Sequence, residues 1–170
     1  SPAMLIKHML PAYFTALGTM SSAATIPVAL QASKNNGVSD GIANFTVPLC
    51  ATIHLCGSTI TLVTCATAVM FLSEHLAIPG IDTMLPFIMM LGVIMIAAPG
   101  APGGGVMSAL GLLTSMLGFG EASIALMIAL YLAQDSFGTA CNVTGDGVIA
   151  LWADRFARGE PALSTEQDAA

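Results

Sequence analysis

Asp135, Thr139, Asn142 and Asp146 fall at i, i+4, i+7 and i+11 of one apolar segment. At 100° per residue the four lie within ~60° of one another on a helix, as a single stripe of oxygens. Such a stripe suits a hard cation or a small polar solute. Two carboxylates inside a membrane helix each cost ~2.5–3.5 kcal/mol on the insertion scale, so they require a cavity, an ion or a partner. The plainer alternative is solvation near a membrane edge, to which Asp146, closer to the cytoplasmic end, is more open than Asp135. A second segment carries His54, Ser58, Thr61 and Cys65 at the same spacing. Membrane Ser and Thr commonly return their hydroxyls to backbone carbonyls, which makes most of that set packing. His54 differs. A lone histidine is more often a satisfied core residue than a ligand, but here its only charged partners are the carboxylates of the last segment.

The surroundings of these residues set the class of protein. Of 170 residues 55% are hydrophobic and 8% charged, with mean hydropathy +0.83 and formal net charge −6. Four Lys+Arg against ten Asp+Glu exclude a nucleic-acid binder, and the apolar content excludes a disordered chain. Gly41–Ser73 and Thr83–Gly120 contain no Lys, Arg, Asp or Glu. Runs of ~20 apolar residues already span a bilayer, so an integral membrane protein is expected. Cys50, Cys56, Cys65 and Cys141 lie in apolar segments and read as small hydrophobes, not as a disulfide frame or a zinc site. Ser1 is not followed by a basic stretch leading into a short apolar run and cleavage site, so no signal peptide is expected.

Lys7, Lys34, Arg155 and Arg158 are all the cations. Two out-and-back excursions alternating with two crossings put all four on one face, which the positive-inside rule makes cytoplasmic, with the C-terminus. Between Asp82 and Glu121 the apolar run is interrupted by Pro99-Gly100-Ala101-Pro102-Gly103-Gly104-Gly105, through which a helix does not continue. The arm before it reaches only ~22 Å, short of the ~30 Å hydrocarbon core. A re-entrant hairpin with a glycine-rich tip follows, tolerated only where it is buried in protein or lines a wet cavity. Met4–Lys34 reads the same way, with Met4–Thr19 as one arm, Ser21, Ser22 and Thr25 at the tip, and Ile26–Ala32 returning. The expected fold is an all-α membrane protein: two re-entrant helical hairpins (4–34 and 82–118) and two interrupted transmembrane helices (41–74 and 121–157) in an inverted repeat. Residues 1–157 are expected to form one domain and 158–170 a disordered cytoplasmic tail. Paired interrupted segments in two halves point to the binding site of a secondary transporter.

Four stretches carry a resemblance. Met20-Ser21-Ser22-Ala23-Ala24-Thr25-Ile26-Pro27 resembles a serine-rich hairpin tip, and Ala51-Thr52-Ile53-His54-Leu55-Cys56-Gly57-Ser58 a broken helix usually reading Asn-Met-Asp-Gly-Thr. Gly100-Ala101-Pro102-Gly103-Gly104-Gly105 resembles a gating tip. Asp135 to Asp146 resembles Asp-x-x-Arg-Thr-x-x-Asn-x-x-x-Asp. Together they resemble the C-terminal half of the dicarboxylate/amino acid:cation symporter (glutamate-transporter) family over roughly residues 4 to 157. The resemblance implies an elevator-type, sodium-driven symporter of the plasma or inner membrane, homotrimeric through a scaffold half absent from this chain. Asp135 would take the substrate ammonium, and Thr139 and Asn142 would hydrogen-bond the substrate. Ser22 and Ala101 would contact it through backbone, with Ser21, Ser58, Gly103 and Gly138 completing the substrate set. Sodium would take Asn142 and Asp146, with a second ion at Thr52 and Ile96–Ala98, His54 standing beside them.

The departures carry information of their own. The family's substrate arginine is Gly138 here, which favours a neutral amino acid over glutamate or aspartate, since a buried carboxylate without a partner is strongly disfavoured. The family's Asn and Asp in the broken helix are His54 and Cys56, which removes a carboxylate from a sodium site and allows H+ to replace one Na+ through His54. The alternatives are proton-coupled symport of a dicarboxylate or acidic amino acid, a passive channel, or an inactive truncated relative. An intramembrane aspartyl protease is excluded, because Asp135 and Asp146 share one helix ~16 Å apart and lack its Tyr-Asp and Gly-x-Gly-Asp neighbours.

Overall fold

The computed structural model describes residues 2–159. It has seven helices in that span: α1 Pro2–Thr19, α2 Ser22–Asn35, α3 Asp40–Ile53, α4 Cys56–Leu72, α5 Ile81–Met95, α6 Gly104–Leu117 and α7 Glu121–Gly159. The chain reverses between α1 and α2 in two residues, with Met20 in the left-handed region at φ 51. Ser21 then caps α2, its Oγ accepting the Ala24 N–H at 3.2 Å. The return arm therefore starts four residues earlier than Ile26, because Ser22 and Thr25 belong to the helix that Ser21 starts. α3 stops at Ile53, and α4 begins at Cys56 after only His54 and Leu55. Between α5 and α6 the chain is non-helical from Ile96 to Gly103, where the prolines and a left-handed Gly103 (φ 73) prevent continuation.

The interruption expected in the last segment is absent. α7 runs unbroken for 39 residues, ~58 Å. It contains no proline, and an interior glycine costs only ~1 kcal/mol against alanine, which tertiary contacts outweigh. Its glycines serve neighbours that come close, as the site below shows. Arg158, placed in the tail by the sequence pattern, is helical and donates from Nη2 to the Gly37 carbonyl at 2.9 Å. The rest of the tail expectation, from 160 onward, lies outside the described residues.

Two helices, Asp40–Leu72 taken across its break and Glu121–Arg158, are long and apolar enough to cross a membrane. Phe14, Phe45, Ile60, Phe71, Met89 and Val93 are all exposed. In such numbers, exposed large apolar side chains fit contact with lipid or another apolar surface.

Burial divides the molecule in two. One apolar core joins α1, α2 and α3 to the C-terminal part of α7, through Met9, Ala12, Ala16, Ala29, Val47 and Val143. Alanine dominates it and lets the helices approach closely. The other joins α4, α5 and α6 to the N-terminal part of α7, with Leu62, Phe87, Leu91, Leu113, Met127 and Tyr131. On α7 the two cores stop at Tyr131 and resume at Ala140. The gap holds Asp135, Gly138 and Thr139.

Candidate functional site

That polar gap is where the ends of the short helices meet. α7 turns Tyr131, Asp135, Thr139, Asn142 and Asp146 inward, all of them buried. Asp135 is 3% exposed, and its Oδ2 accepts the Gly103 N–H at 2.7 Å, tying the second tip to α7. The left-handed conformation of Gly103 presents this N–H just before α6 begins.

Asn142 caps a helix distant in sequence. Leu55, at the N-cap of α4, has no side chain able to cap, so the first N–H groups of α4 lack a local acceptor. Asn142 Oδ1 accepts from Gly57 N–H at 2.8 Å and Ser58 N–H at 3.2 Å, while its Nδ2 donates to Ser58 Oγ at 2.8 Å. Close helix approach makes this reach possible. A Cβ on Gly57 would collide with the Gly138 carbonyl and lie 2.6 Å from Cys141 Cβ. One on Gly138 would stand 3.1 Å from Thr61 Oγ1 and 3.2 Å from Ser58 Cα. Gly138 is thus a close packing position between α4 and α7, where a side chain would require α4 to give by a few tenths of an ångström.

His54 lies in the break and turns to α7, where its Nδ1 is 2.8 Å from Asp146 Oδ1. An ionised carboxylate only accepts, so with Asp146 ionised the His54 Nδ1–H is the donor. Gly145 leaves space for the ring, since a Cβ there would sit 2.5 Å from His54 Cε1. Asp146, 1% exposed, is therefore a dry, partnered carboxylate and not one solvated at a membrane edge.

The two tips latch onto each other. Ser21 Oγ donates to the Gly100 carbonyl at 2.7 Å, and Ala23 N–H donates to the same oxygen at 3.3 Å. Gly100 also sits over the end of α3, where its Cβ would come 3.0 Å from the Ala51 carbonyl. Beneath the latch is a cavity bounded by Ser22, Ser58, Ala101, Asp135, Thr139 and Asn142. Its free volume of ≈ 10 Å³ is about that of one water.

Most of the expected substrate residues thus converge: Ser22, Ser58, Ala101, Asp135, Thr139 and Asn142 line the cavity, Gly103 binds Asp135, and Ser21 closes the lid. Gly138 lies behind the wall against α4. Met20, Leu55, Pro99, Gly105 and Tyr131 also line the cavity, none of them among the substrate residues expected from sequence. Tyr131 looked like ordinary core. Its position one turn before Asp135 was the available signal, and its Oη would lie 2.5 Å from a Cβ on Gly105.

The ion positions are less uniform. His54, Asn142 and Asp146 are contiguous, and Asp146 keeps its second oxygen free of the histidine. Thr52 is exposed and its hydroxyl donates to Leu49 O at 2.7 Å. Ile96 is exposed and Ala98 buried, both in the turn leaving α5. Among the described residues no cluster of three or more His, Cys, Asp or Glu could hold a metal. Any cation here would rely on Asp146 together with neutral oxygens, a donor set that fits a monovalent ion better than a divalent one.

The chain is similar to known proteins over most of its length. Excitatory amino acid transporter 1 of Rattus norvegicus is 32% identical over 165 residues, which is 94% of this chain and 29% of that protein. Excitatory amino acid transporter 5 of Homo sapiens is 31% identical over 155 residues, 88% of this chain and 26% of its own length. Neutral amino acid transporter B(0) of Macaca fascicularis is 29% identical over 161 residues, 91% of this chain and 28% of its own. The chain spans less than a third of the length of these relatives. The Sodium:dicarboxylate symporter family matches residues 1–156, nearly the whole chain. The chain accordingly belongs to the sodium:dicarboxylate symporter family, a family of membrane transporters and not of enzymes.

Proposed function

We propose that residues 1–157 are the transport core of a sodium-driven symporter for a small neutral amino acid. One observation carries the substrate class: the cavity is lined by a single carboxylate, Asp135, and by no lysine or arginine. The N-terminal ends of α2, α4 and α6 reach it through Ser22, Ser58 and Gly105. Helix N-termini carry partial positive charge, and so attract a carboxylate, which would compete with Asn142 and the Gly100 carbonyl for the N–H groups they now hold. A zwitterion then fits, with its ammonium on Asp135 and its α-carboxylate at the helix ends. A second carboxylate on the solute finds no lysine or arginine among the residues lining the cavity. The names of the relatives do not choose between classes, since excitatory and neutral transporters are similar to this chain to nearly the same degree.

Loading requires the latch between Ser21 and Gly100 to open, because the closed cavity holds no more than a water. The second tip is the natural moving part: α5 and α6 pack mainly on each other and on α4 and α7. With 14 to 18 residues each, α1, α2, α5 and α6 are ~21–27 Å long, below the ~30 Å core. This supports re-entrant hairpins inserted from opposite sides, an inverted repeat about the site, and elevator-type movement against a trimeric scaffold. The clustering of Lys7, Lys34, Arg155 and Arg158 supports a cytoplasmic C-terminus in the plasma or inner membrane. Reconstituted uptake of labelled alanine, serine and threonine against aspartate, with and without a sodium gradient, tests the reading. Sodium-dependent uptake of the neutral solutes is expected to exceed that of aspartate at least tenfold, and the reverse order refutes it.

His54 reduces the ion load. Its N–H occupies one Asp146 oxygen that would otherwise face a cation, so one sodium fewer is expected to accompany each solute. His54→Asn shortens the side chain and frees that oxygen. The sodium dependence of uptake is expected to become steeper in this variant, and an unchanged Hill slope would remove His54 from the ion path. Proton carriage by His54 in place of that sodium is the alternative, which predicts uptake that varies with pH in the parent and flattens in the same variant.

A further inference from the structure

On α7, Thr144 and Val148 lie ~200° and ~240° round the helix from Asn142, so they face away from the tip site. There α1 runs alongside, and two adjoining cavities of ≈ 480 and ≈ 360 Å³ share Ile6, Met9, Thr144 and Val148. They form one groove. It is apolar along most of its length, through Ile6, Met9, Leu10, Val148 and Leu151, and ends among Trp152, Arg155 and Arg158.

The charges at that end are unequal. Asp154 accepts the Ser39 N–H at 3.0 Å and pairs with Arg158 Nε at 2.7 Å, while Arg158 Nη2 donates to Gly37 O. Asp154 and Arg158 thus satisfy each other and pin the α2–α3 loop to α7. Arg155 is exposed and has no ion pair among the described residues, which leaves a net positive charge at the groove mouth. From Cys141 to Arg155 the groove follows α7 for ~21 Å, close to half the ~40–45 Å of a bilayer with its headgroup layers.

We propose that this groove binds an anionic phospholipid, with an acyl chain along α1 and α7 and the headgroup phosphate on Arg155. Both parts of the molecule are matched. The apolar stretch shelters the chain, and a guanidinium recognises phosphate in bidentate fashion. Trp152, largely exposed beside Arg155, belongs at the headgroup level where indole rings partition. The site is separate from the tip cavity, so lipid would act on the position of α1 against α7 and not on the solute itself.

Native mass spectrometry of the full chain, titrated with phosphatidylglycerol or phosphatidylcholine of the same chain length, provides the test. Phosphatidylglycerol is expected to bind more tightly, and Arg155→Gln to lower its affinity about fivefold while leaving phosphatidylcholine unchanged. Val148→Trp, which fills the groove, is expected to reduce both. Equal binding of the two lipids, or an Arg155→Gln chain indistinguishable from the parent, overturns the proposal. A photoreactive residue at position 148 in native membranes should yield a phospholipid adduct. An adduct to a protein segment in its place shows that protein covers the groove, and equally overturns it.

Discussion

Asp135→Asn is expected to abolish amino acid uptake while the fold survives. The amide keeps an oxygen where the Gly103 N–H donates, so the second tip stays tied to α7. What disappears is the only negative charge lining the cavity among the described residues. Removing one partner from a buried ion pair typically costs about 2–5 kcal/mol, which corresponds to roughly 30- to 4000-fold in substrate affinity. Calorimetric binding to purified protein measures this directly, alongside a melting curve without solute to confirm folding. Retained affinity in a well-folded variant would show that the ammonium is held elsewhere.

Asn142→Ala should strike stability first. It strips the acceptor from two N–H groups of α4 and the donor from Ser58 Oγ in one step. Buried donors left without partners cost about 1–3 kcal/mol each, so a loss of about 2–5 kcal/mol is expected. For a chain of this length that is a fall of roughly 5–15 °C in melting temperature. Asn142→Asp separates the two roles. Its carboxylate still accepts from both N–H groups, and a negative charge at a helix N-terminus is favourable, so most of the stability should return. An Asn142→Ala chain that melts with the parent would mean that α4 is capped by something other than this amide.

The stripe on α7 was legible because helical periodicity aligns any residues spaced by four, three and four, wherever the helix packs. The bend between α5 and α6 was equally open to reading: Pro99, Gly100 and Pro102 forbid a helix locally, without reference to neighbours. The break at His54 and Leu55 was a different matter. Neither residue is a helix breaker, so only the resemblance to a known broken helix marked it. The cap that makes the break tolerable comes from Asn142, more than eighty residues away, and no local rule finds such a partner. The break expected in α7 came with the resemblance and not from any local breaker. Gly138, Gly145 and Gly147 weaken a helix read alone, yet they admit α4, His54 and Met9 respectively. Tyr131 escaped notice because its apolar neighbours gave it the look of filler, and the groove beside α1 exists only once two distant helices lie together.

Two separate oily interiors meeting along a hydrophilic seam make the molecule resemble an arch in two limbs. Little greasy contact crosses the seam on α7, so the limbs are joined there by directional bonds. On the function proposed above, a seated solute adds bonds across the seam, so the arch is expected to be stiffer loaded than empty.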